Sequence, residues 1–327
     1  MVWPFSRRSS RRPASGTKSS SLRLEFDNLM VSIADRNYFG RYSKSPDGEF
    51  VLAWRDADPR GGRGGYRDSG KGDYLLVHDG EIIAEGRMER PNDGRVSNSG
   101  RFALSDWRFG AALRSTFYVF DSLGKILVSK EFKANALHSD ISPDGQFAVF
   151  VTARSDNEDS NKMSLFDVEA ATLLWSKWPQ SGIPDRYQFD AARARLWLVY
   201  EGKGSYSFSM TDGTFLDLDR WEDERIDWAH PFELSRIGQE RLEAAGSGLD
   251  VEKGAEIAFI LKKAIAAGVD ENAFEHSRTL KTLGDLWERL GDEREALKCF
   301  EEAQSIYPKI GVKRRIARLG NSIGKLS

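Results

Sequence analysis

"SPDGEFVLAW", residues 45–54, reads as a tight turn followed by a strand. Proline at the second turn position presets φ, and glycine at the fourth supplies the positive φ that a hairpin turn requires. The apolar residues behind it mark the hairpin's entry into a half-buried strand. The same phrase returns as "SNSGRFALSDW" from Ser97 and "SPDGQFAVFV" from Ser142. A fourth copy, "DAARARLWLVY" from Asp190, keeps the apolar strand and loses the glycine.

A second phrase falls between the copies of the first: "YLLVHDGEIIAEG" from Tyr74, "FYVFDSLGKILVS" from Phe117, "MSLFDVEAATLLW" from Met163 and "YSFSMTDGTFLDL" from Tyr206. Each is strand, aspartate-containing turn, strand. "LRLEFDNLMVSI" from Leu22 is a fifth, shorter copy. Asp27, Asp79, Asp121, Asp167 and Asp212 mark a period of roughly 42–52 residues, near that of four-stranded propeller blades. Two hairpins per period make a four-stranded antiparallel unit. Such a unit cannot bury both faces alone, so copies must stack on one another.

The recurring "SPDG" turns, in register with the second phrase, resemble the WD-repeat-like β-propeller family from about Leu22 to Trp228. The Gly-His and Trp-Asp dipeptides of the strict WD repeat are missing, so its hydrogen-bond network is not carried over. The resemblance implies an all-β propeller of four to five four-stranded antiparallel blades over residues 22–230, presenting a rigid surface to proteins or peptides.

After Pro231 the apolar period changes from two toward 3.6, predicting an all-α tail over residues 231–327. Gly246 and Gly268 are natural helix terminators. In "LKTLGDLWERLGDEREALKCFEEAQSIYP", Leu283, Gly284, Trp287, Ala296, Phe300, Ala303 and Pro308 stand at the spacing of a tetratricopeptide repeat, which the segment resembles. Gly284, Ala296 and Ala303 are small where two antiparallel helices cross closely, and Trp287 and Phe300 fill the gaps beside them. Asp292 with Glu295 makes a capping-box-like start for the second helix. Leu261 and Ala264 echo Phe300 and Ala303, which suits a degenerate partner repeat ahead of this one. The exposed side of the Leu280–Leu290 helix is the surface expected to meet a peptide.

The 48 basic and 50 acidic residues leave a formal charge of −2, without the positive excess of dedicated nucleic-acid or membrane-surface proteins. The single cysteine, Cys299, allows no intrachain disulfide and no cysteine metal cluster. Residues 1–21, rich in Ser, Arg and Lys, read as a disordered basic arm with no apolar stretch of signal-peptide length. No apolar run approaches membrane-spanning length, so a soluble cytoplasmic protein without membrane insertion is expected.

In each unit the first phrase joins strands one and two, and the aspartate turn joins three and four. The connectors from second to third strand, 55–73, 108–116, 152–162 and 201–205, therefore emerge at the opposite end. The longest carries "DPRGGRGGYRDSGKGDY", residues 58–74. It is not a phosphate-binding P-loop, because Gly72 stands where the magnesium-binding hydroxyl is needed and a strand follows instead of a helix. Arg60, Arg63, Tyr66 and Arg67 offer phosphate contacts and a stacking ring. With the basic arm they support a nucleic-acid reading as the alternative to protein binding.

The third connector, "RSDNEDSNK", carries Asp156, Glu158 and Asp159, which leaves two readings: a dipolar rim that orients a protein ligand, or charged loops that only keep the face soluble. It is not a calcium loop, because Asn161 stands where the turn needs glycine. His78, His138, His230 and His276 are scattered without metal-ligand spacing, and no GxSxG elbow occurs. No catalytic residue, metal or cofactor is indicated. An enzyme with an axial site assembled from distant residues is the second alternative. The reading preferred is a non-catalytic scaffold whose partner is a protein or peptide.

Overall fold

The computed structural model describes residues 22–56, 70–108 and 113–324. The chain divides into two compact units, one ending at Leu216 and one beginning at Asp217.

The first unit is a propeller-like succession of four antiparallel sheets, each a meander in chain order. The first sheet holds β1 (Leu24–Asp27), β2 (Met30–Ile33), β3 (Tyr38–Lys44), β4 (Phe50–Arg55), β5 (Gly72–His78) and β6 (Glu81–Met88). The second holds β7 (Pro91–Val96), β8 (Phe102–Trp107), β9 (Ser115–Phe120) and β10 (Ile126–Phe132). The third holds β11 (Ala136–Ile141), β12 (Phe147–Thr152), β13 (Met163–Asp167) and β14 (Thr172–Lys177). The fourth holds β15 (Arg186–Asp190), β16 (Arg195–Tyr200) and β17 (Gly204–Ser209).

Side-chain alternation along the strands explains the stacking. Phe50, Leu52 and Trp54 on β4 pack with Phe102, Leu104 and Phe120 of the second sheet. Ala103, Phe117 and Val119 of the second sheet, by register on its other face, pack with Ala148, Phe150 and Phe166 of the third. Each middle sheet is thus apolar on both sides and needs a neighbour on each.

Two details depart from uniform four-stranded blades. The short copy at Leu22 does not start a blade of its own, because β2 pairs with β3 and extends the first sheet to six strands. A short 3-10 turn over Ala34–Arg36, closed by Asn37 in the left-handed region (φ 48°), folds β2 back onto β3 locally. β3 then changes partner midway, pairing with β2 over Tyr38–Arg41 and with β4 over Arg41–Lys44. In the fourth sheet, the strand expected after Asp212 shrinks to one bridge, Phe208 to Phe215. The chain turns into helix immediately afterwards, and the Asp217 carbonyl accepts the Trp221 N–H.

The second unit is all-helical: α1 (Leu218–Trp228), α2 (Pro231–Ala245), α3 (Val251–Ala266), α4 (Ala273–Arg289), α5 (Glu293–Ile306) and α6 (Lys313–Ile323). The compact helical unit begins at Asp217 and α1 at Leu218, ahead of residue 231, where the sequence places the start of the tail. Helix α1 escaped the sequence reading because it is short and highly charged, burying only Trp221 and Arg225. Asp292 accepts the Glu295 N–H at 3.0 Å, capping α5 as the sequence predicts. A Cβ on Gly284 would lie 2.6 Å from the Phe300 ring, and Ser277 Oγ donates to the Ala303 carbonyl at 2.8 Å. These contacts run α4 and α5 antiparallel. Gly238 stands to Leu261 as Gly284 does to Phe300, with a Cβ–side-chain approach of 2.5 Å, so α2 and α3 form a second hairpin of the same design.

Candidate functional site

The "SPDG" turns are built alike. Ser45 Oγ accepts the Phe50 N–H at 3.0 Å and donates to Asp47 at 2.5 Å, while Gly48 N–H closes onto the Ser45 carbonyl at 2.8 Å. Ser142, Asp144, Gly145 and Phe147 repeat this pattern. Ser99 Oγ donates to the Asp144 carbonyl at 3.0 Å, so neighbouring turns lie side by side at one end of the sheets. The connectors from second to third strand leave from the other end, as the antiparallel order requires.

At that end, ion pairs root the connectors. Arg55 grips Asp73 through two bonds of 2.8 and 2.9 Å and lies over the Tyr38 ring. Arg90 reaches from the link between the first two sheets to Asp56 at 3.2 Å. Asp106, buried, accepts the backbone N–H groups of Glu89 and Arg90 at 3.2 and 2.7 Å, and burial raises its pKa. Arg108 pairs with Glu89 at 3.1 Å. Arg60, Arg63, Tyr66 and Arg67, the basic half of the expected rim, lie outside the described residues, as does the arm over residues 1–21.

The acidic half behaves differently from a free rim. Glu158 pairs with Lys133 at 2.7 Å, and Lys133 pulls its pKa down. Asp159 accepts the Lys133 N–H at 2.8 Å, while Asn157 donates to the Lys133 carbonyl at 2.7 Å. Thr152 Oγ1 donates to the Asp159 carbonyl. The loop therefore folds onto the turn between the second and third sheets. Asp156 and Glu158 stand exposed and Asp159 is half-buried; Glu158 is tied to Lys133. Trp54 is buried in the core between the first two sheets, and Trp107 packs beneath Arg90.

A concavity lies in the helical unit. Ser235 on α2 bonds Thr279 on α4 at 2.6 Å, and Arg289 at the end of α4 donates to the Leu242 carbonyl at 2.7 Å. Arg315 and Arg318 on α6 pair with Asp285 and Glu288 on α4. Both sets of contacts advance in the same direction, so α2, α4 and α6 run parallel along one side, with α3 and α5 behind. Between them lies a groove of about 530 Å³ whose lining includes Leu242, Glu243, Lys281, Thr282, Arg289 and Arg315.

Charge is unevenly spent there. Asp285 and Glu288 are neutralised by α6, and Glu243 accepts the Gln239 amide at 2.8 Å. Arg289 serves only backbone carbonyls, and Lys281 has no ion-pair partner among the described residues. Lys281 is thus a cation of the lining without a carboxylate partner, and Glu243 a carboxylate of the same lining without a cation, among the described residues. Lys281 falls on the exposed side of the helix singled out from sequence. Arg289 carried no local signal, because its placement depends on α2 lying beside α4. Leu283, Ala296, Phe300 and Ala303 are buried and Trp287 is half-buried, whereas Pro308 lies exposed beyond α5.

No protein-family model matches the chain, and no curated protein matches it. Its fold is similar to several solved propellers. A complex of KlAtg21 with the coiled-coil of AgAtg16 aligns at 13% identity and TM-score 0.37, covering 58% of this chain and 64% of that one. The Dos1 propeller aligns at 11% identity and TM-score 0.35, covering 54% and 45%. The Cps50 (Swd1) β-propeller domain of Myceliophteria thermophila aligns at 12% identity and TM-score 0.32, covering 55% and 57%. The chain thus spans about half to two thirds of the length of the structures it resembles.

Proposed function

We propose that this chain is a non-catalytic, cytoplasmic scaffold. Its tail is a pair of tetratricopeptide-type hairpins with α6 as cap, and its groove holds a short extended peptide bearing a carboxylate. The observation that carries this reading is the groove of about 530 Å³ between α2, α4 and α6, in whose lining Lys281 has no ion-pair partner among the described residues. A carboxylate entering there gains a charge-assisted bond, while Leu242 and the Thr282 methyl offer apolar contact to the peptide stem. The Gly284–Phe300 and Gly238–Leu261 pairs support the repeat assignment, because both let helices of one hairpin approach closely at equivalent places.

The connector end of the sheets is the second contact region in this reading, with Asp156, Glu158 and Asp159 its acids and Arg60, Arg63, Tyr66 and Arg67 its basic counterpart. Binding of fluorescent acidic peptides to the full chain, followed by anisotropy, tests the groove. Lys281→Glu should weaken binding at least tenfold, whereas replacing residues 57–69 with a short linker should leave it unchanged. Equal affinity in the Lys281→Glu chain would refute the groove assignment. A partner lost only on linker replacement would transfer the function to the connector end.

A further inference from the structure

Leu22 donates its N–H to the Gly80 carbonyl at 2.8 Å and packs, like Ile82, against the cluster that holds Val51 and Val77. Gly80 lies in the turn between β5 and β6, so the chain enters the first sheet from its turn end. That end is acidic. Asp47, Asp79, Asp121, Asp144, Asp167 and Asp212 stand in or beside six of its turns. Asp79 faces His78 at 3.5 Å. The other five are acceptors of their own turns, taking N–H groups of Glu49, Leu123, Gln146, Ala170 and Thr214 in that order. Local bonds hold each carboxylate in place without neutralising it. The cations nearby are otherwise engaged: Arg101 pairs with Glu169 and Arg193 with Asp190, while Lys44 and Arg195 lie over the Phe26 and Trp197 rings. Among the described turn residues, only Lys125 is left as a cation without an ion pair.

We propose that residues 1–21 dock on this acidic end of their own chain. Charge, origin and length carry the argument. The segment holds Arg7, Arg8, Arg11, Arg12 and Lys18 and no acid. It joins the fold beside Asp79, and Arg12 lies ten residues before Leu22, a reach of up to about 34 Å in extended chain. The carboxylates fall inside that reach. His78 stacks on Phe50, setting the Asp79 turn beside the Asp47 turn, and the single residue Asn98 bridges the Asp47 turn to that of Asp144. Exposed ion pairs are weak one at a time. A tether changes the balance, because it holds the cations at an effective concentration on the order of millimolar. Docked in this way, the arginines are withdrawn from the connector end, where the nucleic-acid alternative needs them.

The test places a nitroxide on Ser9→Cys in the full chain, where Cys299 is buried, and reads the relaxation of backbone amides by NMR. In about 50 mM salt the Gly48, Gly80 and Gly145 amides should broaden while Asp73 and Trp107 at the connector end do not, and about 1 M salt should remove the effect. Asp47→Asn with Asp144→Asn keeps the turn acceptors and should cut the broadening about threefold. Replacing Arg7, Arg8, Arg11 and Arg12 with serine, which leaves every residue of the sheets intact, should abolish it and decides the matter if the aspartate variant misfolds. No broadening at the turns, equal broadening at both ends, or broadening that survives salt or the serine variant would overturn the proposal. So would an effect that grows with protein concentration, which would assign the segment to a second copy.

Discussion

The backbone N–H of Asp47 is bonded to the side-chain carbonyl of Asn98, 51 residues further on, at 3.1 Å. Asn98 in turn donates its own N–H to the Pro143 carbonyl at 2.8 Å. One residue thus clips together the tight turns of three successive sheets. All three turns lie at the same end, which is what sends the long connectors to the other.

Asn98→Ala should destabilise the first unit by about 1 kcal/mol, since it removes one acceptor at a partly solvated site. Asn98→Asp, which keeps an acceptor, should cost less. Denaturant midpoints for both variants check this; an unchanged midpoint in Asn98→Ala would mean that the turn-to-turn clip contributes nothing.

Gly48 and Gly145 occupy the same turn position, with φ of 81° and 76°, but their surroundings differ. A Cβ at Gly48 meets nothing within 4 Å, whereas one at Gly145 would lie 2.6 Å from Ser99 Oγ and 2.9 Å from Ser97 Oγ. Gly48→Ala should cost about 1–2 kcal/mol, from left-handed backbone alone. Gly145→Ala should cost roughly 1–3 kcal/mol more through overpacking against the neighbouring turn. Thermal melts of the pair isolate the packing contribution, and equal losses would contradict it.

In the helical unit, Gly284→Ala forces a methyl into the Phe300 ring and should cost about 1–3 kcal/mol. Phe300→Leu alone should be milder, and in the double variant the smaller side chain should recover part of the Gly284→Ala loss. A double-mutant cycle with no coupling would show that the two positions do not touch.

Stability should also depend on pH through Asp140. Its folded pKa of about 6 stands above the ordinary 3.8, so between these values the folded state holds more protons than the unfolded. Stability contributed by the proton is present below pH 4 and is lost as pH rises through 6. Each pH unit separating the folded and unfolded values is worth about 1.4 kcal/mol. Asp140→Asn should therefore gain about 2–3 kcal/mol over the parent at pH 7.5, with the gain vanishing near pH 4. A gain constant across that range would assign the effect to something other than ionisation.

Cys299 is buried beside Leu283 and Leu286, and burial pushes its thiol up to about 11. Since the thiolate is the reactive form, alkylation at pH 8 should be slow in the folded chain and fast in urea. Rapid labelling of the folded chain would place Cys299 at the surface.

Much of this architecture was legible in sequence because its signals are local. The Ser–Pro–Asp–Gly turn closes on itself within six residues, through Ser45, Asp47, Gly48 and Phe50, so it reads the same in any sheet. Asp292 likewise caps α5 from three residues away. Helix α1 was missed because it is charged almost throughout, and the truncated fourth sheet because Phe215 looks like any strand residue. Whether a strand forms at Phe215 depends on what the chain does next.

The amino-acid order by itself determined the repeat, the end at which each turn sits within its hairpin, and the helix pairs built on Gly284 and Phe300. These depend on backbone conformation and on side chains a few positions apart. The tertiary structure alone decided that β2 would join the first sheet, that Lys281 and Arg289 would share a groove with Arg315, and that Asp140 would be half-buried where desolvation outweighs the pull of Arg95. Those outcomes depend on which distant strands and helices become neighbours, and on the low dielectric created only when they close around a charge.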